Sequence, residues 1–318
     1  MSLWKRFVKI IKPNVKEEPV FKPEKTTEEL SATAELPLTR ESEQPAAGVR
    51  LDLDICLQTD LGVVRTNNED RCVYQRPSDP EVAAAKGILV IVADGMGGAL
   101  AGEVASEMAI KIIPEAYYRS PKVPALALKE AVEFASAEIH RTAQSDPALR
   151  GMGTTCVAMA ILLPGVFVAY VGDSRIYLLR DNNFYQLTED HTVVFEMVRK
   201  GILTRDQARH HEERNVLSLS MGGRPEITAA YWENPMIARY GDRFLLCSDG
   251  LHDLVGDSEM QAIVAASPAH QAVPNLIEAA RRNGGHDNIT AALVNVFIPE
   301  VPTEADFKAT REFPISSE

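Results

Sequence analysis

Six acidic residues of this chain lie where apolar segments meet turn-forming residues. They are Glu69, Asp70, Asp94, Asp173, Asp249 and Asp287. If their carboxylates converge, their mutual repulsion destabilises the fold unless cations or hydrogen-bond donors compensate for it. Ligand sets made only of oxygen favour hard divalent ions such as Mg²⁺ or Mn²⁺ over zinc. An apolar segment that ends in an aspartate occurs three times, at Asp94, Asp173 and Asp249, and this recurrence predicts a shared metal site.

A pair of divalent ions with an arginine beside them would suit the hydrolysis of a phosphate ester. Two such ions roughly 3.5–4 Å apart can share a carboxylate, activate a water molecule near neutral pH and stabilise an in-line displacement at phosphorus. Phosphate monoesters hydrolyse very slowly without a catalyst, so the reaction needs this concentration of charge. Arg65 precedes Glu69 in a turn-rich stretch, and its planar guanidinium can hold two phosphate oxygens. Taken singly, Arg65 is more typical of a surface arginine, and an Asp-Gly pair of a capped turn.

The segments that carry these acids have the pattern of buried strands. Residues 88–93 are six consecutive apolar residues, and Asp94-Gly95-Met96-Gly97-Gly98 follows them directly. Such a run, rich in β-branched residues and closed by glycine, predicts a buried strand that enters a tight turn. Gly95 has no Cβ, so its carbonyl can approach a ligand closely. Residues 168–171 and 243–248 repeat the pattern before Asp173 and Asp249.

The rest of the chain predicts antiparallel sheets covered by helices. Strands are predicted at 51–58, 72–75, 155–163, 166–171, 175–180, 184–187, 227–232 and 289–298. Helices are predicted at 101–114, 125–143, 258–266 (with a capping-box spacing of Ser258 and Gln261) and from 269 to the glycines at 284–285, with a loop at 77–86. Because hairpins join the strands and the helices come in sequential pairs, we expect an α+β fold and no regular βαβ alternation.

Composition excludes several classes of protein. The 318 residues carry a formal net charge of −12, which argues against a nucleic-acid-binding body. The four cysteines are scattered without metal-ligand spacing, which is typical of reduced core residues in a cytoplasmic protein. No apolar run approaches the ~18 residues that span a membrane. The amino terminus also lacks the apolar core of an export signal.

The chain divides into four parts by sequence pattern. Residues 1–12 place apolar residues, including Trp4, against four basic ones, which suits either a tether to an acidic partner or anionic membrane surface, or a packed terminal helix. Residues 13–50 predict a flexible linker, because they are polar and have few aromatic residues. We expect the catalytic domain at 51–298, with a polar insertion at about 190–221, and a loose tail at 299–318.

Seven motifs occur in a fixed order across this body. They are TDLGVVRTNNED (59–70), ADGMGG (93–98), GEVAS (102–106), MGTT (152–155), VGDSR (171–175), SDGL (248–251) and DNIT (287–290). With these motifs the chain resembles the metal-dependent protein phosphatases of the 2C type, and specifically their bacterial serine/threonine branch. The resemblance implies a four-layer αββα sandwich of two antiparallel sheets flanked by helix pairs. It also implies two Mn²⁺ or Mg²⁺ ions in a cleft at one end of the sheets.

The resemblance implies a role for each matching residue at the two metal ions. Asp94 would bridge both ions. Asp249 and Asp287 would complete one site. Glu69 and the carbonyl of Gly95 would contribute to the other.

Further roles follow from the same resemblance. Asp70 would orient a metal-bound water, and Asp173 would help to hold a third, weaker metal. Arg65 would bind the substrate phosphate, and residues 190–221 would form a mobile flap. The implied substrates are phosphoserine and phosphothreonine in proteins, phosphorylated by a cognate kinase, and we expect a monomer.

One departure concerns the general acid. Some members of the family carry a histidine directly after the Asp-Gly, whereas this chain has Met96. His286 is a candidate only because it adjoins Asp287, and it is more typical of a loop residue, as are His252 and the pair at 210–211.

Two other functions stay open: hydrolysis of small phosphoesters at a two-metal site, and phosphopeptide binding without catalysis, which the complete set of acids disfavours.

Overall fold

The computed structural model describes residues 51–97 and 101–299. The amphipathic segment predicted at 1–12, the linker at 13–50 and nearly all of the tail at 299–318 lie outside the described residues. Among the helices that are described, none is both long and apolar enough to cross a membrane.

The first of two antiparallel sheets contains five strands. Its spatial order is β1 (Asp52–Asp60), β12 (Ile289–Phe297), β11 (Arg243–Cys247), β7 (Arg175–Arg180) and β8 (Asn183–Gln186). β1 pairs with β12 along its whole length, from Asp52 opposite Phe297 to Asp60 opposite Ile289. The carboxyl end of β11 and the amino end of β12 therefore lie at the same end of this sheet.

The second sheet contains seven strands. Five of them follow the order β10 (Met236–Ile237), β6 (Gly165–Val171), β5 (Cys156–Leu162), β3 (Ile88–Met96) and β2 (Asp70–Gln75). The short strands β4 (Gly153–Thr154) and β9 (Ala230–Tyr231) pair with β3 and β6. On β3, Leu89, Ile91 and Ala93 pack into the core shared with the helices. Since successive side chains of a strand alternate between faces, the buried Val90 and Val92 point towards the other sheet.

Helices cover the outer face of each sheet. α2 (Ala101–Arg119) and α3 (Pro124–Ser145) share a core with the second sheet, while α7 (Asp257–Ala266) and α8 (Ala269–Arg282) share one with the first. The single-turn helix α6 (Asp249–His252) follows β11. The segment after β8 contains α4 (Val193–Arg199) and α5 (Arg205–Arg209). The expected α+β fold, a four-layer αββα sandwich, is confirmed.

One loop prediction and one helix-cap prediction were wrong. The loop expected at 77–86 contains the helix α1 (Pro80–Lys86), in which the side chain of Asp79 accepts hydrogen bonds from the backbone amides of Glu81 and Val82. The capping box expected at Ser258 does not form, because α7 already begins at Asp257. The side-chain amide of Gln261 instead donates to the carbonyl of Asn182 at 2.8 Å.

Other bounds shifted because tertiary packing outweighs local signals. The helix expected to end near Pro114 continues to Arg119, with Pro114 buried inside it. The strand expected at 227–232 forms ladder pairs only at Ala230 and Tyr231. The short elements β4, β10 and α6 were not predicted, since two to four residues carry no periodicity.

Candidate active site at one end of the sandwich

Two acids face each other across the second sheet. Asp70 is the first residue of β2, and Asp94 lies near the end of β3, directly opposite it in the antiparallel register. Asp70 is buried and Asp94 is partly exposed to solvent. The backbone amide of Asp94 donates to the hydroxyl of Thr155 at 3.1 Å, and its carbonyl accepts from the amide of Thr155 at 2.8 Å. The main chain at Asp94 is therefore fixed by the pairing of β3 and by two contacts with Thr155, which directly precedes β5.

The first sheet contributes Asp249 through the turn after β11. Ser248 precedes it, and its hydroxyl donates to Asp70 Oδ2 at 2.7 Å. The same hydroxyl accepts from the backbone amide of Thr290 at 3.1 Å. These bonds join the two sheets through Ser248 and bring Asp249, at the start of α6, close enough to Asp94 for the two carboxyl groups to influence each other's pKa.

Arg65 and Asp287 come together from distant parts of the chain. Nη2 of Arg65 lies 2.7 Å from Oδ2 of Asp287, which precedes β12. The side chain of Arg65 is about half exposed (49%), so its remaining guanidinium protons face solvent. Arg65 is thus a cation at the mouth of the cluster, with donors free for a phosphate group.

Glu69 and Gly95 are held by backbone contacts. The amide of Glu69 donates to the side-chain oxygen of Asn288 at 2.8 Å, and its carbonyl accepts from the amide of Gly95 at 3.2 Å and from the Ser106 hydroxyl at 2.5 Å. A Cβ built on Gly95 would lie 2.2 Å from the carbonyl oxygen of Gly102. Only glycine allows α2 to begin this close to the turn after Asp94.

Asp173 lies in the connection from β6 to β7, which passes from one sheet to the other. It is buried, and its carbonyl accepts a hydrogen bond from Nε2 of His252 at 3.1 Å. Nδ1 of His252 lies 3.3 Å from a carboxylate oxygen of Asp253. His252 therefore helps to fix the backbone of Asp173 through this hydrogen bond.

Burial and mutual repulsion both disfavour the charged forms of these carboxyl groups. Burial, followed by the charges of Asp70, Asp249 and Asp173, raises the pKa of Asp94 well above its ordinary value. Burial is also the largest cause that raises the pKa of Asp70 and that of Asp173 to about 7. The pKa of Asp249 is raised mainly by burial, with a further contribution from the charge of Asp287. A cation placed among these groups would remove this conflict.

The donor set fits hard divalent ions, although the side chains are not yet in a coordinating arrangement. Within residues 51–97 and 101–299, no three His, Cys, Asp or Glu side chains are already placed to hold a metal ion together. Asp287 is turned to Arg65, and Asp70 to Ser248. The ligands on offer are nevertheless carboxylate and carbonyl oxygens from rigid strand ends, which is the chemistry that Mg²⁺ and Mn²⁺ prefer.

The polar segment at 190–221 borders a cavity next to Asp173. The cavity has a volume of about 690 Å³ and lies between α4, α5 and the segment from α6 to α7. At the start of the segment, Asp190 accepts two hydrogen bonds from Nε and Nη2 of Arg175, the shorter at 2.6 Å. Further along, Arg214 lies 3.9 Å from Asp253. The segment is thus joined by ion pairs to the elements that carry the site.

Two of the other histidines that were considered as general acids lie on the surface. His286 and His210 are exposed, and Nδ1 of His211 accepts from the backbone amide of Glu213. Two residues with clear structural roles, Ser248 and Asn288, belong to the sequence motifs but were assigned no role from them. Their adjacency to Asp249 and Asp287 was the available signal.

A sequence profile described as protein phosphatase 2C matches residues 64–293. The chain belongs to this family. Among its phosphatase 2C relatives, the protein phosphatase PhpP of Streptococcus pneumoniae is 37% identical over 249 residues, which cover 77% of this chain and 98% of PhpP. The serine/threonine phosphatase Stp of Listeria monocytogenes (serovar 1/2a) is 36% identical over 244 residues, 74% of this chain and 93% of Stp.

Solved phosphatase 2C structures have the same fold. The serine/threonine phosphatase PstP/Ppp of Mycobacterium tuberculosis superimposes with a TM-score of 0.69 at 33% identity, over 77% of this chain and 99% of that one. A catalytic domain of PstP in complex with two manganese ions gives a TM-score of 0.67 at 34% identity, over 78% of this chain and all (100%) of that one.

Proposed function

We propose that this chain is a metal-dependent protein phosphatase that hydrolyses the phosphate monoesters of phosphoserine and phosphothreonine residues. The observation that carries the proposal is the meeting of Asp94, Asp70 and Asp249 from two different sheets, with Arg65 beside them. The names of its relatives, PhpP, Stp and PstP, support protein-bound phosphoserine and phosphothreonine as the substrate class.

Two Mn²⁺ or Mg²⁺ ions fit the acids at this end of the sandwich. The PstP catalytic domain with two manganese ions supports that number. We assign Asp94 to both ions, Asp249 and Asp287 to one, and Glu69 with the carbonyl of Gly95 to the other. Asp173, one strand connection away, is assigned to a third, weaker site.

Bound at this end of the sandwich, the ions would supply Lewis-acid stabilisation of the phosphoryl group and activation of the attacking water. The protein supplies the alignment. Arg65 holds two phosphate oxygens and so points the ester towards Asp94. Asp70, whose other contacts are fixed by Ser248, accepts a hydrogen bond from the attacking water and orients it for in-line displacement at phosphorus.

The remaining assignments concern the rest of the chain. We assign the catalytic domain to 51–298 and the flap to 190–221, with 13–50 as a linker and 299–318 as a tail. Residues 1–12 would tether the domain to a membrane surface or to a protein. The partner is a kinase that phosphorylates the same proteins, and the phosphatase acts as a monomer in the cytoplasm, where its free cysteines stay reduced.

The test is metal-dependent hydrolysis of p-nitrophenyl phosphate and of a phosphothreonine peptide. We expect activity with Mn²⁺, loss of activity with EDTA, and loss of at least ~10²-fold in Asp94→Asn and Asp249→Asn. Glu115→Gln, which removes an exposed acid of α2 paired with Arg119, is the matched control and should keep full activity.

Three outcomes would contradict the proposal. Activity that survives EDTA would exclude the metal ions. Hydrolysis of p-nitrophenyl phosphate without hydrolysis of any phosphopeptide would indicate a small-molecule phosphohydrolase. Phosphopeptide binding without turnover at any metal concentration would indicate a binding module.

A further inference from the structure

Exposed aliphatic residues adjoin the arginine of the site. Leu61, Val63 and Val64 precede Arg65, and the side chains of both valines are mostly exposed (60% and 65%). Within the described residues, no other stretch of four positions exposes three large apolar side chains. We call Val63 and Val64 the valine rim. Aliphatic side chains left in water represent binding energy that an apolar partner could use.

The backbone of the valine rim is fixed to the loop that carries Asp287. The amide of Val63 donates to the carbonyl of Gly285 at 2.7 Å, and the carbonyl of Leu61 accepts from the side-chain amide of Asn288 at 3.1 Å. Gly62 has φ +80°, and a Cβ there would lie 2.1 Å from the carbonyl oxygen of Asp287. The rim is therefore held at a set distance from Asp287 before any substrate arrives.

Position decides which partner the valine rim meets. Arg65 follows Val64 directly, so a phosphate held by its guanidinium lies within one or two residues' reach of both valines. A protein substrate must then lay the residues that flank its phosphorylated side chain beside them. An extended chain advances about 3.3 Å per residue, so the first or second neighbour of the phosphorylated residue is the one within contact distance.

We propose that the valine rim selects phosphoprotein segments with an aliphatic residue within two positions of the phosphoserine or phosphothreonine. This inference rests on the proposed function and adds a preference to it. A charged or strongly polar neighbour would lose water against the valines without gaining a partner, whereas an aliphatic one would bury apolar surface. A small phosphoester has no flanking residues, so its hydrolysis reports on the site without them.

The experiment is a double-mutant cycle between enzyme and peptide, with the full chain and Mn²⁺. Phosphothreonine peptides carry Leu or Ser at each of the positions −2, −1, +1 and +2, and kcat/KM is measured for each. The enzyme variants are Val63→Ser and Val64→Ser. Val123→Ser is the matched control, because Val123 is equally exposed (63%) but lies between α2 and α3. Hydrolysis of p-nitrophenyl phosphate reports whether the site itself is intact.

We expect wild type to prefer Leu over Ser by about fivefold in kcat/KM at one or more of these positions. One of the two rim variants should reduce that preference below about twofold, while its p-nitrophenyl phosphate hydrolysis and the preference of Val123→Ser stay unchanged. If Val64→Ser does not fold, Val64→Thr keeps the β-branched shape, replaces one methyl group with a hydroxyl, and must lower the preference in the same direction.

Two results would overturn the inference alone: equal turnover of Leu and Ser peptides by wild type at all four positions, or a preference that persists in both rim variants. If wild type cleaves p-nitrophenyl phosphate but none of the peptides, the proposed function fails as well, and the inference fails with it.

Discussion

Arg65 and Asp287 lie 222 positions apart in the chain, yet Nη2 of the arginine is 2.7 Å from Oδ2 of the aspartate. The two side chains have opposite assignments, one to phosphate and the other to a metal ion. If Asp287 ligated a metal ion, as we propose, it would leave Arg65 and free a guanidinium donor for the substrate. We therefore expect metal binding and phosphate binding at this end of the sandwich to be coupled through this ion pair.

Replacement of Arg65 by lysine should show whether phosphate binding needs only a positive charge or also the planar guanidinium. Lysine keeps the positive charge but cannot hold two phosphate oxygens in a planar fork. We expect Arg65→Lys to lower kcat/KM for a phosphothreonine peptide by about 10- to 100-fold. Arg76→Lys is the control, since that arginine is exposed and lies 3.9 Å from Asp52. Equal kinetics for Arg65→Lys and wild type would show that bidentate contact is not used.

The strands that carry the acids could be predicted because their signal is local. Six apolar residues before Asp94, and similar runs before Asp173 and Asp249, indicate buried strands without knowledge of their neighbours. The bounds of β3 and β11 agree with that pattern to within a residue or two, apart from the glycine turn that extends β3 to Met96. The apolar residues of these runs are nearly all buried, whereas Arg243 at the start of β11 is only half-buried.

Contacts between distant residues could not be predicted in the same way. The hydroxyl of Ser248 meets Asp70 across 178 positions, and no periodicity in either segment records this pairing. α1 was missed because seven residues carry too few repeats of the helical pattern, and its cap at Asp79 looks the same as a turn. The residues of the proposed site were predicted from ordered motifs, whereas their hydrogen bonds depend on how the two sheets pack.

Stability of the metal-free protein should fall as pH rises. Burial and neighbouring acids raise the pKa of Asp70 and of Asp173 to about 7, above the ordinary values of the unfolded chain. The folded state thus binds more protons than the unfolded state between about pH 4 and pH 7, and stability declines through this window. We expect a lower Tm at pH 8 than at pH 5 in EDTA.

Added Mn²⁺ should reverse that decline, because the ion compensates the charges that repel one another. Differential scanning calorimetry at both pH values, with and without Mn²⁺, measures the effect. Asp70→Asn should flatten the slope of Tm against pH in EDTA, since it removes one of the titrating groups. A metal-free Tm that rises from pH 5 to pH 8 would contradict the raised pKa values.

Gly250 should not tolerate a side chain. A Cβ at this position would lie 1.9 Å from the carbonyl oxygen of Asn288, which is backbone and cannot move alone. We expect Gly250→Ala to destabilise the domain by about 1–3 kcal/mol and to lower metal-dependent activity, because Asp249 and Asp287 would be pushed apart. Gly256→Ala is the matched control, since no atom lies within 4 Å of its Cβ. Urea unfolding and p-nitrophenyl phosphate hydrolysis of the two variants test this; equal values for both would exclude the clash.

The buried ion pair of Arg180 and Asp242 should support stability without supporting catalysis. Nε and Nη2 of Arg180 donate to the two carboxylate oxygens of Asp242 at 2.8 and 2.6 Å, and the backbone amide of Arg239 donates to Oδ2 at 2.7 Å. Arg180 is the last residue of β7, so the pair lies at the other end of that strand from Asp173. Removal of one partner would leave a buried charge without compensation.

We therefore expect Asp242→Asn to lower the free energy of unfolding by about 3–5 kcal/mol. kcat/KM per folded molecule should stay within about twofold of wild type, because the pair lies at the other end of β7 from Asp173. The double variant Arg180→Met/Asp242→Leu should lose less stability than Asp242→Asn alone, since it removes both charges at once. Denaturant unfolding with parallel assays of p-nitrophenyl phosphate hydrolysis decides the matter. A loss of activity in proportion to the loss of stability, in protein that stays folded, would contradict this expectation. It would show that the Arg180–Asp242 pair affects the acids of the site at the other end of the sandwich.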